Sequence, residues 1–343
     1  MVKMINPKTD DRHYNAWLQL NVLSLSICNM NCVYCFKNEH GQRPGLNEEV
    51  FPGGIYSVAK SLWHKIVHAS KMSPLQILQK LKLISAKSKM QTLDIPAFMR
   101  SLENAQKIFR ISFTGGDPFL VPNIVEACIK ITEKHFVSFN TNLVAGHIQK
   151  FIHTIDPKRV LRIHASLHFK ELERLKKTKL YIENFLLAQE KGFPIFSGAV
   201  AYPPLVDEVD QYRKSFGAYG ITFTFFPFKG TYKGKIYPES YTAEEREKFG
   251  FDESFLDKFH TFGRTCNAGV NVGVVSSSGV VYPCYDIYEE IGNIYGEINF
   301  KKEITVCPKR LCSCPLYYLD ELLYEEAILQ TSQNWAKPVS LPN

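Results

Sequence analysis

Three cysteines within eight residues constrain this chain more than any other feature. Cys28, Cys32 and Cys35 have the spacing C-x3-C-x2-C, and they follow an apolar run, residues 18–27, that predicts a β-strand. A short loop at the end of a strand can hold a metal centre rigidly at one edge of a sheet. Three thiolates leave one position of a four-iron cubane without a protein ligand, and an open position is typical of reactive rather than structural metal sites.

Zinc and a disulfide are the two plainer interpretations of this loop. Structural zinc sites combine two short cysteine or histidine motifs that lie near each other in the sequence. Here the next cysteine after Cys35 is Cys128, and the nearest histidine is His40. A disulfide within the loop would leave one cysteine unpaired. The spacing therefore favours an iron–sulfur cluster.

Composition favours a reducing, cytoplasmic location. The chain of 343 residues contains nine cysteines, and it shows neither an initial secretory signal segment nor an apolar stretch near the roughly 20 residues that a membrane helix needs. The net charge of +7 arises partly from residues 71–107, where seven Lys and Arg outnumber two acidic residues. Aromatic residues are not interleaved there, which favours a solvated helix face over a nucleic-acid surface. We therefore expect neither a membrane nor a nucleic acid as a partner.

Strands and helices alternate along most of the chain. Strands are predicted at 18–27, 109–113, 136–143, 160–168, 195–202 and 221–228, and helices at 56–69, 74–85, 96–107, 123–135, 171–191 and 242–249. This alternation predicts an α/β fold with parallel strands joined by right-handed crossovers. The pattern alone fits an open sheet as well as a barrel.

Polar residues end three of the predicted strands. Gly115, Gly116 and Asp117 follow the second strand, where the glycines let the backbone approach a ligand and the carboxylate can accept a bond from an ammonium group. The third and fourth strands end in two pairs whose members share a face: Asn140 with Asn142, and Ser166 with His168. Each of these four is equally interpretable as a structural residue. His168 is a candidate proton relay because histidine titrates near neutral pH.

A second group of cysteines lies near the C-terminus. Its members are Cys266, Cys284, Cys307, Cys312 and Cys314. Gly279 predicts a hairpin turn that brings Cys284 back towards Cys266. Five cysteines are enough for one four-thiolate site, which zinc or an iron–sulfur cluster could occupy.

The C-x3-C-x2-C loop, with Tyr34 before its last cysteine and Gly-Gly-Asp-Pro about 80 residues later, resembles the radical SAM superfamily. The resemblance implies a partial (β/α)6 barrel over residues 18–229, with 37–105 as a helical insertion and 1–17 as a tail. It implies a [4Fe–4S] cluster on Cys28, Cys32 and Cys35 whose fourth iron binds S-adenosylmethionine. The corresponding family stretch is usually Gly-Gly-Glu-Pro, so Asp117 is one methylene shorter. The implied cofactor contacts are Tyr34, Gly115, Gly116, Asp117, Asn140, Asn142 and Ser166.

Residues 265–320 resemble the twitch domain, the truncated form of the SPASM domain of radical SAM enzymes. The resemblance implies a second, auxiliary [4Fe–4S] cluster. We expect its ligands to be Cys266, Cys284, Cys312 and Cys314, with Cys307 as the alternative to either of the last two. Asp286 is a candidate base near that cluster. Residues 230–264 would form a bridging segment, and residues 321–343 a C-terminal helix and tail.

The resemblance implies reductive cleavage of S-adenosylmethionine to a 5′-deoxyadenosyl radical that abstracts hydrogen from a substrate. An auxiliary cluster favours a two-electron oxidation, a dehydrogenation or a cross-linking, of a small molecule or a peptide. The electron donor would be a flavodoxin or a ferredoxin. One alternative is a redox-neutral radical epimerase or mutase that uses the spare C-terminal cysteine. Another is a non-catalytic iron–sulfur protein, which would produce no 5′-deoxyadenosine.

Overall fold

The structure is a computed structural model that describes residues 14, 16–23, 28–35, 92–252, 255, 263, 265–285, 287, 289–303 and 305–307. Several predictions lie outside these residues. They are the helices at 56–69 and 74–85, strand residues 24–27, most of the tail 1–17 and of the insertion 37–105, the segment 321–343, and the site residues Asp286, Cys312 and Cys314.

Six parallel strands follow one another through a mostly parallel sheet in chain order. They are β1 (Ala16–Leu23), β2 (Phe109–Gly115), β3 (Phe136–Thr141), β4 (Val160–Ser166), β5 (Ile195–Ala201) and β6 (Phe223–Pro227). Each neighbouring pair is parallel, so the carboxyl ends of all six strands lie at the same edge of the sheet. This arrangement confirms the α/β prediction, and β2 to β6 begin and end within two residues of the predicted bounds.

Helices connect these strands. The described helices are α1 (Ile95–Asn104), α2 (Ile124–Ile131), α3 (Ile148–Thr154), α4 (Phe169–Arg174), α5 (Thr178–Glu190), α6 (Val209–Gly217) and α7 (Ala243–Phe249). The one helix predicted over 171–191 is in fact two, because Lys176 adopts a left-handed backbone (φ 54°) that interrupts the helical path. None of the helices described is long and apolar enough to cross a membrane.

The helices pack on one face of the sheet. Phe113 of β2 and Phe139 of β3 stack on each other with ring centroids 5.1 Å apart, and Phe139 also contacts the ring of Phe119 at 4.8 Å. Phe151 of α3 packs edge-on against the same cluster. Because side chains alternate along a strand, the residues next to Phe113 in β2 and Phe139 in β3 point to the opposite side of the sheet. We call this side the inner face.

C-terminal strands extend the same sheet beyond β1. β10 (Val272–Val275) pairs with β1 in parallel, on the side opposite β2, with Trp17 in register with Val272. β11 (Val280–Tyr282) and β12 (Gly292–Asn293) follow in antiparallel order. The predicted hairpin turn at Gly279 is present, with a backbone φ of 88° that suits glycine.

Two short ribbons accompany the main sheet. One joins β7 (Gly230–Tyr232) to β8 (Lys235–Tyr237), and the other joins β9 (Thr265–Cys266) to β13 (Thr305–Val306). Helix α7 begins with a capping box, in which Thr242 and Glu245 bond each other's backbone N–H groups, and ends at Gly250 in a left-handed conformation.

Candidate active site

The cysteine loop, residues 28–35, lies at the sheet edge where the parallel strands end. Cys32 is buried, while Cys28 and Cys35 are half-buried, and none of the three is in a disulfide. The N–H of Cys35 donates to the carbonyl of Cys32 at 3.1 Å, which closes a turn between these two cysteines. The three thiols are therefore held in one short, folded segment.

The electrostatics of this loop fit a positively charged metal cluster. Burial, followed by the charges of Cys35, Glu171 and Cys28, raises the pKa of Cys32 to about 12. The thiols are thus close enough to oppose one another's ionisation. Thiolates are the usual ligands of iron–sulfur clusters, and bound iron would supply the compensating charge. The donor set therefore fits a [4Fe–4S] cluster with three protein ligands.

Glu171 fastens the cysteine loop to α4. Its Oε2 accepts a hydrogen bond from the backbone N–H of Asn31 at 2.6 Å. The guanidinium of Arg174 donates to both carboxylate oxygens, at 2.9 and 2.8 Å, and this bonding lowers the pKa of Glu171. The carboxylate is therefore ionised and held in place as an acceptor for the loop.

Tyr34 connects the loop to the ends of β4 and β5. Its hydroxyl shares a hydrogen bond of 2.9 Å with Nδ1 of His168, and its ring lies 5.4 Å from the ring of Tyr202. Burial lowers the pKa of His168 to about 4, so this imidazole is neutral near pH 7. The predicted residues Tyr34 and His168 are thus brought together, in a contact that orients both rings.

Asp117 joins the end of β2 to the end of β3. One carboxylate oxygen accepts from the N–H of Phe119 at 3.0 Å, and the other accepts from the Thr141 hydroxyl at 2.9 Å and the Asn142 N–H at 2.7 Å. Burial raises the pKa of Asp117, and these three bonds oppose the rise. Direct contact between Asp117 and the cofactor stays a prediction, since three protein donors already bind its oxygens.

The remaining predicted cofactor contacts line the same edge. Asn142 Nδ2 donates to the side-chain oxygen of Asn29 in the cysteine loop at 2.6 Å, and Asn140 Nδ2 lies 3.4 Å from the Thr114 hydroxyl. Gly115 has a φ of 109°, which a residue with a β-carbon adopts with strain. Ser166 ends β4, and Gly116 follows Gly115 half-buried. Their cofactor contacts stay predictions.

Two of the described C-terminal cysteines, Cys266 and Cys307, belong to the β9–β13 ribbon or adjoin it. Cys266 in β9 is in register with Thr305 of β13, and the carbonyl of Cys307, directly after β13, accepts from the N–H of Gly263 at 3.0 Å. Cys284 follows β11 and bridges to Ile287. Over the described ranges, no three His, Cys, Asp and Glu side chains are grouped closely enough for a single metal ion. The auxiliary-cluster ligands stay a prediction.

Sequence reasoning missed four residues that matter here. Glu171 and Asn29 hold the cysteine loop, and Arg110 and Arg162 lie on the inner face. A signal was available for the arginines, since a charged residue inside an otherwise apolar strand is unusual. The partners of Glu171 and Asn29 are distant in sequence, so no local pattern pointed to them.

Comparisons with known proteins identify a family and similar folds. The family model of the radical SAM superfamily matches residues 22–214. No curated protein matches the chain. A solved structure of native anSMEcpe with bound AdoMet is 18% identical, with 81% of this chain and 78% of that chain covered and a TM-score of 0.50.

Two further structures are similar. AnSMEcpe with AdoMet and the Kp18Cys peptide gives 18% identity, coverage of 81% and 77%, and a TM-score of 0.50. Streptococcus suis SuiB gives 13% identity, coverage of 79% and 60%, and a TM-score of 0.47. The family match spans more than half of the sequence and includes the whole cysteine loop. This chain belongs to the radical SAM superfamily.

Proposed function

We propose that this protein is an enzyme that uses Cys28, Cys32 and Cys35 to hold a [4Fe–4S] cluster and binds S-adenosylmethionine at its open iron. Membership of the superfamily implies S-adenosylmethionine radical chemistry. The observation that carries the assignment to these residues is the bonding of the cysteine loop to successive strand ends. Asn29 is bonded to Asn142 after β3, and Asn31 to Glu171 after β4.

When bound, the cluster and S-adenosylmethionine supply a 5′-deoxyadenosyl radical that removes a hydrogen atom from the substrate. The chain's own residues position and enclose these groups. The hydrogen bond between Tyr34 and His168 holds both side chains in place beside the cysteine loop. Asp117 holds the strand-end backbone against which the methionine part would lie, and Gly115 and Gly116 leave that backbone accessible. Asn140, Asn142 and Ser166 would offer polar groups to the ribose and carboxylate of the cofactor.

The reaction is, in this proposal, a two-electron oxidation of a small molecule or peptide, either a dehydrogenation or a cross-linking. The C-terminal cysteines support it, because Cys266, Cys284, Cys312 and Cys314, with Cys307 as the alternative, would hold an auxiliary [4Fe–4S] cluster that accepts the substrate's electron. Asp286 would act as the base. The peptide bound to anSMEcpe supports a peptide as one substrate class. A flavodoxin or ferredoxin would deliver the electron.

Iron analysis of anaerobically reconstituted protein tests the assignment. We expect about eight irons in the parent protein and about four when Cys28, Cys32 and Cys35 are all changed to Ala. Cys128→Ala is the matched control, because Cys128 is fully buried in α2 and far from the loop in sequence. The parent and the control should form 5′-deoxyadenosine under reduction, and the triple variant should not. Equal iron and equal 5′-deoxyadenosine in all three proteins would refute the proposal.

A further inference from the structure

The inner face of the sheet carries two arginines that the site described above does not use. Arg110 lies on β2 with Ser112 and Thr114 on the same face, and Arg162 lies on β4 below His164. Serine, arginine and histidine contrast with the phenylalanines, isoleucines and valines that the same strands turn towards the helices. The inner face is therefore polar although it is largely enclosed.

Arg110 is completely buried, and none of the carboxylates in the described ranges pairs with it. Its guanidinium stacks on the ring of Trp17 at 4.5 Å, and its Nε donates to the hydroxyl of Ser138 at 3.1 Å. Both terminal nitrogens, Nη1 and Nη2, are buried without a hydrogen-bond partner in the described part of the chain. These nitrogens form the fork that binds carboxylates and phosphates in two parallel hydrogen bonds.

Arg162 is close to Arg110. The two arginines lie on β4 and β2, the strands that flank β3. Arg162 is in register with Ser138, the residue that binds Arg110, and its guanidinium lies 5.6 Å from the ring centre of Phe196. Its Nε is enclosed and, within the ranges described, has no hydrogen-bond partner. Burial and the positive charge of Arg110 lower the pKa of Arg162 to about 9. Two cations thus repel each other in an enclosed place.

A further polar atom on this face, Oγ1 of Thr224, is buried without a hydrogen-bond partner among the described residues. None of the described carboxylates forms an ion pair with either arginine. Buried charges and polar groups are normally paired because desolvation without compensation is costly. The group that would satisfy them is an anion.

We propose that Arg110 and Arg162 form a binding site for an oxyanion, a carboxylate or a phosphate group of the substrate. Arg110 and Arg162 lie four residues before Thr114 and Ser166, which are near the carboxyl ends of β2 and β4. Four residues span about 13 Å along an extended strand. The substrate would thus be an elongated anionic molecule. Its charged group would bind the arginines, and its reacting carbon would lie near the cysteine loop. That the anion belongs to the substrate rests on the proposed function.

Thermal unfolding of the full-length reconstituted protein tests this site. Sodium phosphate and sodium acetate, each at about 10 mM, are compared with sodium chloride at equal ionic strength. We expect phosphate, acetate or both to raise the melting temperature by roughly 3 °C or more. Which salt acts identifies the group. Arg162→Gln should abolish the rise, and it should melt no lower than the parent without added anion because it removes the repulsion. Arg110→Lys should weaken anion binding at least about tenfold, since lysine cannot form the fork.

Arg100→Gln is the matched control, because Arg100 is exposed on α1. It should respond to the anions as the parent does. A parent protein that gains no stability from either anion would overturn the inference, as would a rise that persists in Arg162→Gln. The proposed function is measured separately on the same preparations. Anion binding without 5′-deoxyadenosine formation would refute only that function, and 5′-deoxyadenosine formation without arginine-dependent binding would refute only this site.

Discussion

The backbone N–H of Asn31 donates a 2.6 Å hydrogen bond to Oε2 of Glu171, and this contact ties the cysteine loop to the helix after β4. The two residues are 140 positions apart in the sequence. The geometry of the three thiols therefore depends on a carboxylate that is not itself a ligand. Glu171 is a positioning residue in this structure.

We expect Glu171→Ala to reduce the iron retained at the first cluster at least about twofold, and to destabilise the fold by about 1–2 kcal/mol, because the Asn31 N–H loses a charged acceptor. Glu171→Gln keeps an acceptor oxygen. Its iron content and stability should therefore lie between those of Glu171→Ala and those of the parent protein. Iron content and thermal unfolding measure both effects. Glu183→Ala is the control, because Glu183 makes an ion pair with Lys179 on the exposed side of α5. Equal iron in Glu171→Ala and the control would contradict this role.

Asp117→Asn should destabilise the protein by about 1–3 kcal/mol, because an amide replaces one of two buried oxygens that accept three hydrogen bonds. Chemical denaturation measures this difference. Asp156→Asn is a close match for comparison, since Asp156 caps a similar short turn through the N–H of Lys158 but lies at the surface. That variant should change stability by less than about 0.5 kcal/mol. Equal losses of stability in Asp117→Asn and Asp156→Asn would show that the burial of Asp117 does not add to the stability.

Gly198→Ala should destabilise the protein by about 1–3 kcal/mol through overpacking. A β-carbon at this position of β5 would lie 2.2 Å from the ring of Phe226 and 2.7 Å from Nε2 of His164. Both rings line the inner face, so they would have to move. Gly217→Ala at the end of α6 meets no atom within 4 Å and should be neutral or slightly stabilising. A neutral Gly198→Ala, measured by chemical denaturation, would show that the inner face is loosely packed.

Stability should fall as the pH drops from about 6.5 to 4, in part because of His135. Burial, with smaller effects of Lys134 and Arg159, lowers the pKa of His135 to about 4, and its Nδ1 accepts the N–H of Phe109. In the unfolded chain the pKa of this histidine is near 6.5, so the unfolded chain is protonated at a higher pH than the folded protein. Acid therefore lowers the free energy of unfolding by about 1–3 kcal/mol over that pH range.

The pH dependence is measured by chemical denaturation at several pH values. His135→Asn removes the titrating ring and should show a shallower loss of stability in acid. Burial also lowers the pKa of His164, to about 3, so part of the loss should remain. His153→Asn, on the exposed side of α3, should keep the full slope of the parent. An unchanged slope in His135→Asn would rule out its contribution.

The strands and the first cysteine loop were predictable because their signals are local. Apolar runs such as 109–113 and 136–143 mark buried parallel strands, and polar residues directly after them must lie at one edge. Helices α3 and α6 were missed because both are short, with seven and nine residues, and carry mixed polar and apolar side chains. The bonds of Asp117 to Thr141 and Asn142 depend on strand neighbours 24 and 25 positions away, which no window of sequence reveals.

The parallel pairing of β1 with β10 has a consequence for synthesis on the ribosome. Trp17 and Val272 are partners although more than 250 residues separate them. Until β10 has left the ribosome, β1 is an edge strand that exposes unpaired backbone groups, which makes it prone to wrong pairing. The strand that leads into the cysteine loop is therefore among the last to be completed. We therefore expect a cluster on Cys28, Cys32 and Cys35 to be inserted only after β10 has been synthesised.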